Sequence, residues 1–346
     1  MRRVSERRVG LLDLTIAVVV AGGTTVVATI VGLGTGTGPF VAMHVAYFGL
    51  VVAVPLIALG TLVLGRRELH PTLVIGAAVC LLPVPFGIYA SHIEPGWLRL
   101  DRIEVPVSPE RSGSGTVRVG VLSDMQMANV GDHERRAVRE LMAQEPDLIL
   151  VPGDLFHMEP DRFAARLDDL RSLYSELHAP YGVYVVPGDV DGLPMLRQVI
   201  EGTDLELLLD TTTRVDVRDR QLLIGGLDLE FGSAEAAQIR DELLAEPADG
   251  AIAVQFSHRP DAVLELPPSS RVDLTVSGHT HGGQIVLPLF GPPLTLSEVP
   301  RDVARGGLHE VDGNQIYVSP GVGAERGGAP QIRFLDRPSV AVLEVG

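Results

Sequence analysis

Three uncharged apolar runs, Leu14–Val31, Phe40–Leu64 and Thr72–Ala90, constrain the first part of this chain more than any other feature. Each approaches the roughly 20 residues needed to cross the hydrocarbon core of a bilayer. Between Gly10 and Ile93 the only charged residues are Asp13, Arg66, Arg67 and Glu68. A buried soluble helix rarely stays uncharged for so long, so three such runs predict three transmembrane helices within residues 1–96. Arg2, Arg3, Arg7 and Arg8 precede the first run, Arg66-Arg67 separates the second from the third, and Gly32–Gly38 carries no charge. Under the positive-inside rule the amino terminus and the Arg66 loop face the cytoplasm. Three crossings then place everything after Trp97 outside, with Trp97 suited to an interfacial anchor. The alternative is an export signal over the first run: Arg7-Arg8 followed by Leu11-Leu12 faintly resembles a twin-arginine signal. No convincing small-residue cleavage site follows it. The runs lack paired internal charges, which argues against a sensor or transporter module as the working part.

Charge separates the two parts of the chain. The whole chain carries a net −16. Residues 1–95 hold six arginines against four acids, a net +2, so residues 96–346 carry −18. A domain that acidic repels phosphate backbones, which excludes nucleic-acid binding by surface charge. A phosphate-bearing substrate must then be attracted by something local and cationic. The single cysteine, Cys80, lies in an apolar run, excluding a disulfide framework and a thiolate metal cluster.

Residues 97–346 read as an α/β domain. Arg102–Val107 has the pattern of a strand, and a loop rich in Pro, Ser and Gly follows at Ser108–Gly115. Five apolar strands then end on polar residues. Val117–Leu122 ends at Ser123-Asp124, Leu148–Val151 at Gly153-Asp154 and Gly182–Val186 at Gly188-Asp189. Ile252–Phe256 ends at Ser257-His258, and Val272–Val276 at Gly278-His279. Helical segments are expected at His133–Ala143, Arg162–Glu176 and Ala234–Ala245. In the tail, Gln284–Leu287, Gln315–Ser319, Gln331–Leu335 and Val340–Val345 have strand character and predict an antiparallel sheet. The expected architecture is two packed β-sheets flanked by helices, preceded by the three transmembrane helices.

One Asp after a strand is usually a helix cap or a turn former. Five strands that each deliver an Asp or a His to the same position, the last within Gly278-His279-Thr280-His281, are hard to explain as caps. Ligands in α/β folds gather outside the carboxyl ends of strands. Mixed carboxylate and imidazole donors suit Mn, Fe or Zn.

On these residues the chain resembles the calcineurin-like metallophosphoesterases, and most of all their membrane-anchored bacterial branch. The family pattern runs Asp-x-His, Gly-Asp-x-x-Asp, Gly-Asn-His-Asp/Glu, a lone His, and Gly-His-x-His. In this chain those places hold Asp124-Met125-Gln126, Gly153-Asp154-Leu155-Phe156-His157, Gly188-Asp189-Val190-Asp191, His258, and Gly278-His279-Thr280-His281. The similarity covers about residues 101–345, including Ser257-His258-Arg259-Pro260-Asp261, Gly282-Gly283-Gln284-Ile285 and Val318-Ser319-Pro320-Gly321.

The resemblance implies a metal-dependent phosphoesterase with two divalent ions. One ion would be held by Asp124, Gln126, Asp154 and His281, and the other by Asp154, Asp189, His258 and His279, with Asp154 bridging. Gln126 replaces a His and offers a neutral, weaker amide-oxygen ligand, and Asp189 replaces an Asn, which keeps an oxygen ligand and adds a negative charge. Val190 replaces a His that aids phosphate charge stabilisation and leaving-group protonation. His157 is nearby in sequence as a candidate substitute, and Asp191 is either a ligand-orienting group or a turn residue. Expected substrates are phosphodiesters or lipid-linked phosphates. The alternative is a catalytically impaired member that binds a metal or a phosphate ligand without efficient turnover.

Overall fold

The computed structural model describes residues 38–64 and 71–346. The first apolar run, Leu14–Val31, and the Arg66-Arg67 pair lie outside the described residues. Within them, Phe40–Gly60 and Val74–Gly96 are helices long and apolar enough to cross a membrane. Their apolar side chains face outward: Leu56 is 62%, Ile57 67% and Leu82 60% exposed. Contacts divide the chain into two compact units. One comprises Met1–Ile93 with Glu325–Gln331, and the other Glu94–Ala324 with Ile332–Gly346.

The second unit holds two six-stranded mixed sheets. The first contains β1 (Arg99–Val105), β2 (Val117–Val121), β3 (Leu148–Val151), β4 (Val183–Val185), β5 (Leu205–Leu207) and β12 (Ser339–Val345), in the order β1-β12-β2-β3-β4-β5. The second contains β6 (Thr211–Val217), β7 (Arg220–Gly226), β8 (Ile252–Phe256), β9 (Leu274–Ser277), β10 (Gly307–Val311) and β11 (Asn314–Val318), in the order β10-β11-β9-β8-β7-β6. β2, β3 and β4 are parallel neighbours, as are β7, β8 and β9.

The sequence of β3 shows why the sheets stack. All four of its residues are buried, as expected for a parallel strand covered on both faces. Side chains alternate across a strand. Leu148 and Leu150 meet Ile224, Val254, Phe256 and Val276 of the other sheet. Ile149 and Val151 instead meet the helices, through Val138 and Leu141 of Asp132–Met142 and Leu170 and Leu173 of Leu167–Tyr174. The outer face of the second sheet packs Leu223, Ala253 and Val318 against Leu243 of the helix Ala234–Leu244.

The tail departs from the expected antiparallel sheet. β11 pairs in parallel with β9 and antiparallel with β10, whereas β12 inserts into the first sheet between β1 and β2. Gln284–Leu287 and Gln331–Leu335 are not strands; they share the isolated bridge Ile285↔Phe334. Left-handed backbone at Gln284 (φ 57°) and Leu335 (φ 55°) interrupts both extended runs. The helix expected over Arg162–Glu176 is two, Pro160–Ala164 and Leu167–Tyr174.

Candidate metal centre

The carboxyl ends of β2, β3, β4, β8 and β9 each pass into a tight loop, and those loops carry Asp124, Asp154, Asp189, His258 and His279. Asp124 (φ 50°), Gln126 (36°), Asp154 (54°), His279 (73°) and His281 (49°) all occupy the left-handed region. Such backbone costs about 1–3 kcal/mol per residue and concentrates at functional sites. Glycine makes the close approach possible. A Cβ on Gly188 would collide with the Asp154 backbone and carboxylate, and one on Gly278 with Ser123 and Asp124.

The side chains converge across the two sheets. His258 Nε2 lies 3.5 Å from Asp154 Oδ2 and 3.5 Å from Asp189 Oδ2. His279 Nδ1 is 2.8 Å from Asp189 Oδ2, and His281 Nε2 is 3.9 Å from Asp124 Oδ1. Asp189, His258 and His279 form one group of donor atoms within 4.8 Å of one another, and Asp124, Asp154 and His258 form a second. His258 belongs to both groups, whereas the resemblance assigns it to one ion.

Backbone groups aim these donors. His258 Nδ1 lies 2.6 Å from the Pro152 carbonyl, which accepts only, so Nδ1 carries a proton and Nε2 faces the carboxylates. His279 Nε2 stands in the same way 3.2 Å from the Leu296 carbonyl, leaving Nδ1 to Asp189. Asp124 accepts from the His279 N–H at 2.9 Å and from the Ser123 hydroxyl. Asp154 accepts from Gln126 Nε2 at 2.6 Å and from the Val190 N–H at 3.0 Å.

Asp191 is the buried organiser of the loops. It accepts from the N–H groups of Asp154 (2.8 Å), Leu155 (2.6 Å), Phe156 (3.3 Å) and Gly188 (3.0 Å). It therefore orients the β3 and β4 loops and is more than a turn residue.

The donor set fits a cation. His258 Nε2 and His281 Nε2 are buried without a hydrogen-bond partner, which is costly unless another charge meets them. Burial, reinforced by the charge of Asp154, pushes Asp124 up to about 6. Burial and the same neighbour push Asp191 up to about 7. Burial works against charging His258, but Asp154, Asp189 and Asp124 outweigh it and raise the imidazole to about 10. Burial followed by the Arg333 charge holds His281 well below the usual histidine range. Carboxylates crowded against imidazoles in a dry site favour a bound positive ion.

The calcineurin-like phosphoesterase family matches residues 117–283, a span that contains all seven expected ligands. The chain carries a calcineurin-like phosphoesterase domain. Its relatives agree. It is 28% identical over 291 residues to phosphodiesterase YaeI of Escherichia coli, covering 81% of this chain and 98% of that one. It is 26% identical over 263 residues to the uncharacterized metallophosphoesterase YkuE of Bacillus subtilis, covering 74% and 88%. A metallophosphoesterase of Aquifex aeolicus is 28% identical over 273 residues, covering 76% and 97%.

Within this phosphoesterase domain Gln126 holds the Asp154 carboxylate through Nε2, and half a turn of its amide would present Oε1 in the same direction. His157 is in neither donor group. Its backbone N–H donates to the Met127 carbonyl, and its buried Nδ1 has no hydrogen-bond partner. Val190 brings a backbone N–H to Asp154 but no proton-carrying side chain.

Two arginines escape sequence reasoning. Arg259 grips Asp189, with Nε 3.1 Å from Oδ1 and 3.3 Å from Oδ2 and Nη2 2.5 Å from Oδ1. Burial opposes the charge of Asp189, but His258, His279 and the Arg259 guanidinium beside it hold it well below the usual carboxylate range. The guanidinium thus balances the charge that Asp adds where the family has Asn. Its place directly after His258 was a visible signal. Arg333 is buried and binds the Pro320, Gly321 and Gly323 carbonyls at 2.7, 3.2 and 2.6 Å through Nη2, and Asp336 at 3.0 Å. No local pattern distinguishes it from a surface arginine.

Proposed function

We propose that this chain is a membrane-anchored, metal-dependent phosphodiesterase whose ions are held by Asp124, Gln126, Asp154, Asp189, His258, His279 and His281. The observation that carries the reading is the convergence of three carboxylates and three imidazoles from five strand ends. Two divalent ions bound there would supply Lewis acidity to the phosphoryl oxygens and to the attacking water. The chain itself orients that chemistry. Pro152 and Leu296 fix the imidazole rings, Asp191 fixes the loops, and Gln126 and the Val190 N–H fix Asp154.

Beside the donors lies a cleft of about 800 Å³ lined by Asp189, Arg259, His279, Phe231, Leu264 and Leu296. Its apolar side chains suit an alcohol group of the ester, whereas Asp189, Asp261, Glu265 and Glu298 make the polar wall acidic and leave attraction of the phosphate to Arg259 and to ions held by the donors. The bilayer-length helices and the arginines of residues 1–96 support membrane anchoring with the domain outside the cytoplasm. The name of the Escherichia coli relative supports diester specificity.

Val190 makes the reading testable. A positioned acid contributes ~10²–10⁴-fold, and most where the leaving group is basic. A nitrophenolate leaves unaided, whereas an alkoxide needs a proton. The full-length protein should therefore hydrolyse aryl phosphodiesters at least ~10²-fold faster than alkyl ones. Val190→His should raise alkyl turnover more than aryl turnover at unchanged metal content. Equal wild-type rates on both esters would refute the missing acid and direct attention to His157. Metal binding with no hydrolysis of either ester would favour the impaired reading.

Arg259 provides a further test. A preorganised cationic donor at the cleft rim supports developing phosphoryl charge, and losing such a donor costs ~10²-fold in turnover. Arg259→Ala should lower the kcat of aryl diester hydrolysis by about that factor. Arg259→Lys should recover only part, because an ammonium cannot reproduce the planar fork. An unchanged kcat in Arg259→Ala would confine the side chain to charge balance of Asp189.

A further inference from the structure

The segment Gly282–Ser297 contains no charged residue, although it belongs to the acidic part of the chain. It leaves the second histidine of the His-x-His pair and turns tightly, with Leu287 and Gly291 exchanging backbone hydrogen bonds at 3.0 and 2.9 Å. At the tip Leu289 has a left-handed backbone (φ 66°) and a fully exposed side chain. Phe290 is 57% and Leu296 50% exposed, and Leu287 is exposed beside them. In water such a cluster of large apolar side chains is unfavourable, and it marks an interaction surface.

The two ends of the segment bear on what could cover it. At one end, residues 284–286 are hydrogen-bonded to Phe334, and the adjoining Leu335 N–H donates to Glu94 Oε2 at 2.8 Å. Glu94 lies in the last turn of the bilayer-length helix Val74–Gly96. Trp97 follows at once, half exposed, with the Arg337 guanidinium 4.3 Å over its ring. Arg301 stands in the same relation to Phe290, at 5.0 Å. Aromatic rings paired with arginines are at home where hydrocarbon meets headgroups. At the other end, the Leu296 carbonyl meets His279, and Leu296 lines the cleft. The apolar hairpin therefore connects the point where the chain leaves its membrane helix to the mouth of the candidate metal centre.

We propose that the Leu287–Leu296 hairpin lies in the surface of a lipid bilayer and presents the cleft to phosphate esters whose alcohol is embedded in that bilayer. This rests on the membrane-anchored phosphodiesterase reading and adds a substrate class to it. Anchoring by the helices alone would tether the domain; the hairpin fixes which side of it faces the lipid.

The test uses the full chain reconstituted in vesicles. Leu289→Cys, in a Cys80→Ser background, is labelled with an environment-sensitive fluorophore. Glu145→Cys, at a side chain 85% exposed on the same unit, is the comparator. The label at 289 should be quenched by acyl-brominated lipid and shielded from aqueous iodide, and the label at 145 should behave in the opposite way. Equal iodide quenching at both positions, with none from brominated lipid, would overturn the proposal. A second arm compares hexadecyl p-nitrophenyl phosphate dissolved in the vesicles with water-soluble bis(p-nitrophenyl) phosphate. Leu289→Asp/Phe290→Asp should slow the first ~10-fold or more, because interfacial seating scales with buried apolar area, and leave the second unchanged. Equal rates of wild type and variant on the lipid-embedded ester would also overturn it. Wild type inactive on both esters would refute the phosphodiesterase reading, while the quenching result would still decide the placement of the hairpin.

Discussion

Asp154→Asn should lower aryl phosphodiester turnover by about 10³-fold. Lewis-acid assistance is worth several kcal/mol, and each 1.36 kcal/mol is tenfold in rate. Asp154 belongs to the donor group of Asp124 and His258, and through His258 it adjoins the other group: Oδ2 lies 2.6 Å from Gln126 Nε2 and 3.5 Å from His258 Nε2, and Oδ1 holds the Val190 N–H. The carboxamide keeps that shape and an acceptor for Val190 but removes one negative charge. Bound metal should fall with activity. Thermal stability of the metal-free protein should change little, because the repulsion of Asp154 against Asp124 and Asp191 is offset by its attraction to His258. Metal content and melting temperature measured on the same preparation check both halves. Undiminished metal content with wild-type turnover would remove Asp154 from the assignment.

The second large effect is expected far from any ligand list. Arg333→Leu should destabilise the phosphoesterase domain by about 3–5 kcal/mol, the usual cost of removing one partner from a buried ion pair. In a domain of this size that corresponds to a melting temperature lower by roughly 10 °C. The change strands the buried Asp336 carboxylate and the carbonyls of Pro320, Gly321 and Gly323. It also releases the His281 carbonyl, 3.4 Å from Nη1, so the second histidine loses its brace. Arg333→Lys should recover little of this, since five fixed N–H donors serve carbonyls in several directions. A thermal scan that leaves Arg333→Leu within 2 °C of wild type, against that ~10 °C expectation, would show that the loops hold without it.

The five strand ends were legible because the signal is local: a short apolar run closes on a polar residue, and every residue that matters lies within a few positions. The donor geometry follows, since parallel neighbours such as β2, β3 and β4 open at one edge. Strand partnership was not legible. β12 has the same alternating, β-branched character as a tail strand of its own sheet, yet it pairs with β1 and β2 from the start of the domain. Gln284–Leu287 reads as strand by propensity, but the left-handed backbone at Gln284 interrupts the extended run. Asp191 was ambiguous because four N–H groups from two loops reach it only in the folded chain. Arg259 was in view beside His258, but its meaning depends on Asp189, 70 positions earlier.

The most direct measurement is metal-dependent hydrolysis by the full-length protein. After exhaustive chelation, bis(p-nitrophenyl) phosphate turnover should fall to background and return on titration with Mn, saturating near two ions per chain. His279→Ala prepared in the same way should bind less Mn and regain little activity. Turnover that survives chelation, or wild-type protein that binds no divalent metal, would contradict the assignment of Asp124, Asp154, Asp189, His258, His279 and His281 to a catalytic metal centre.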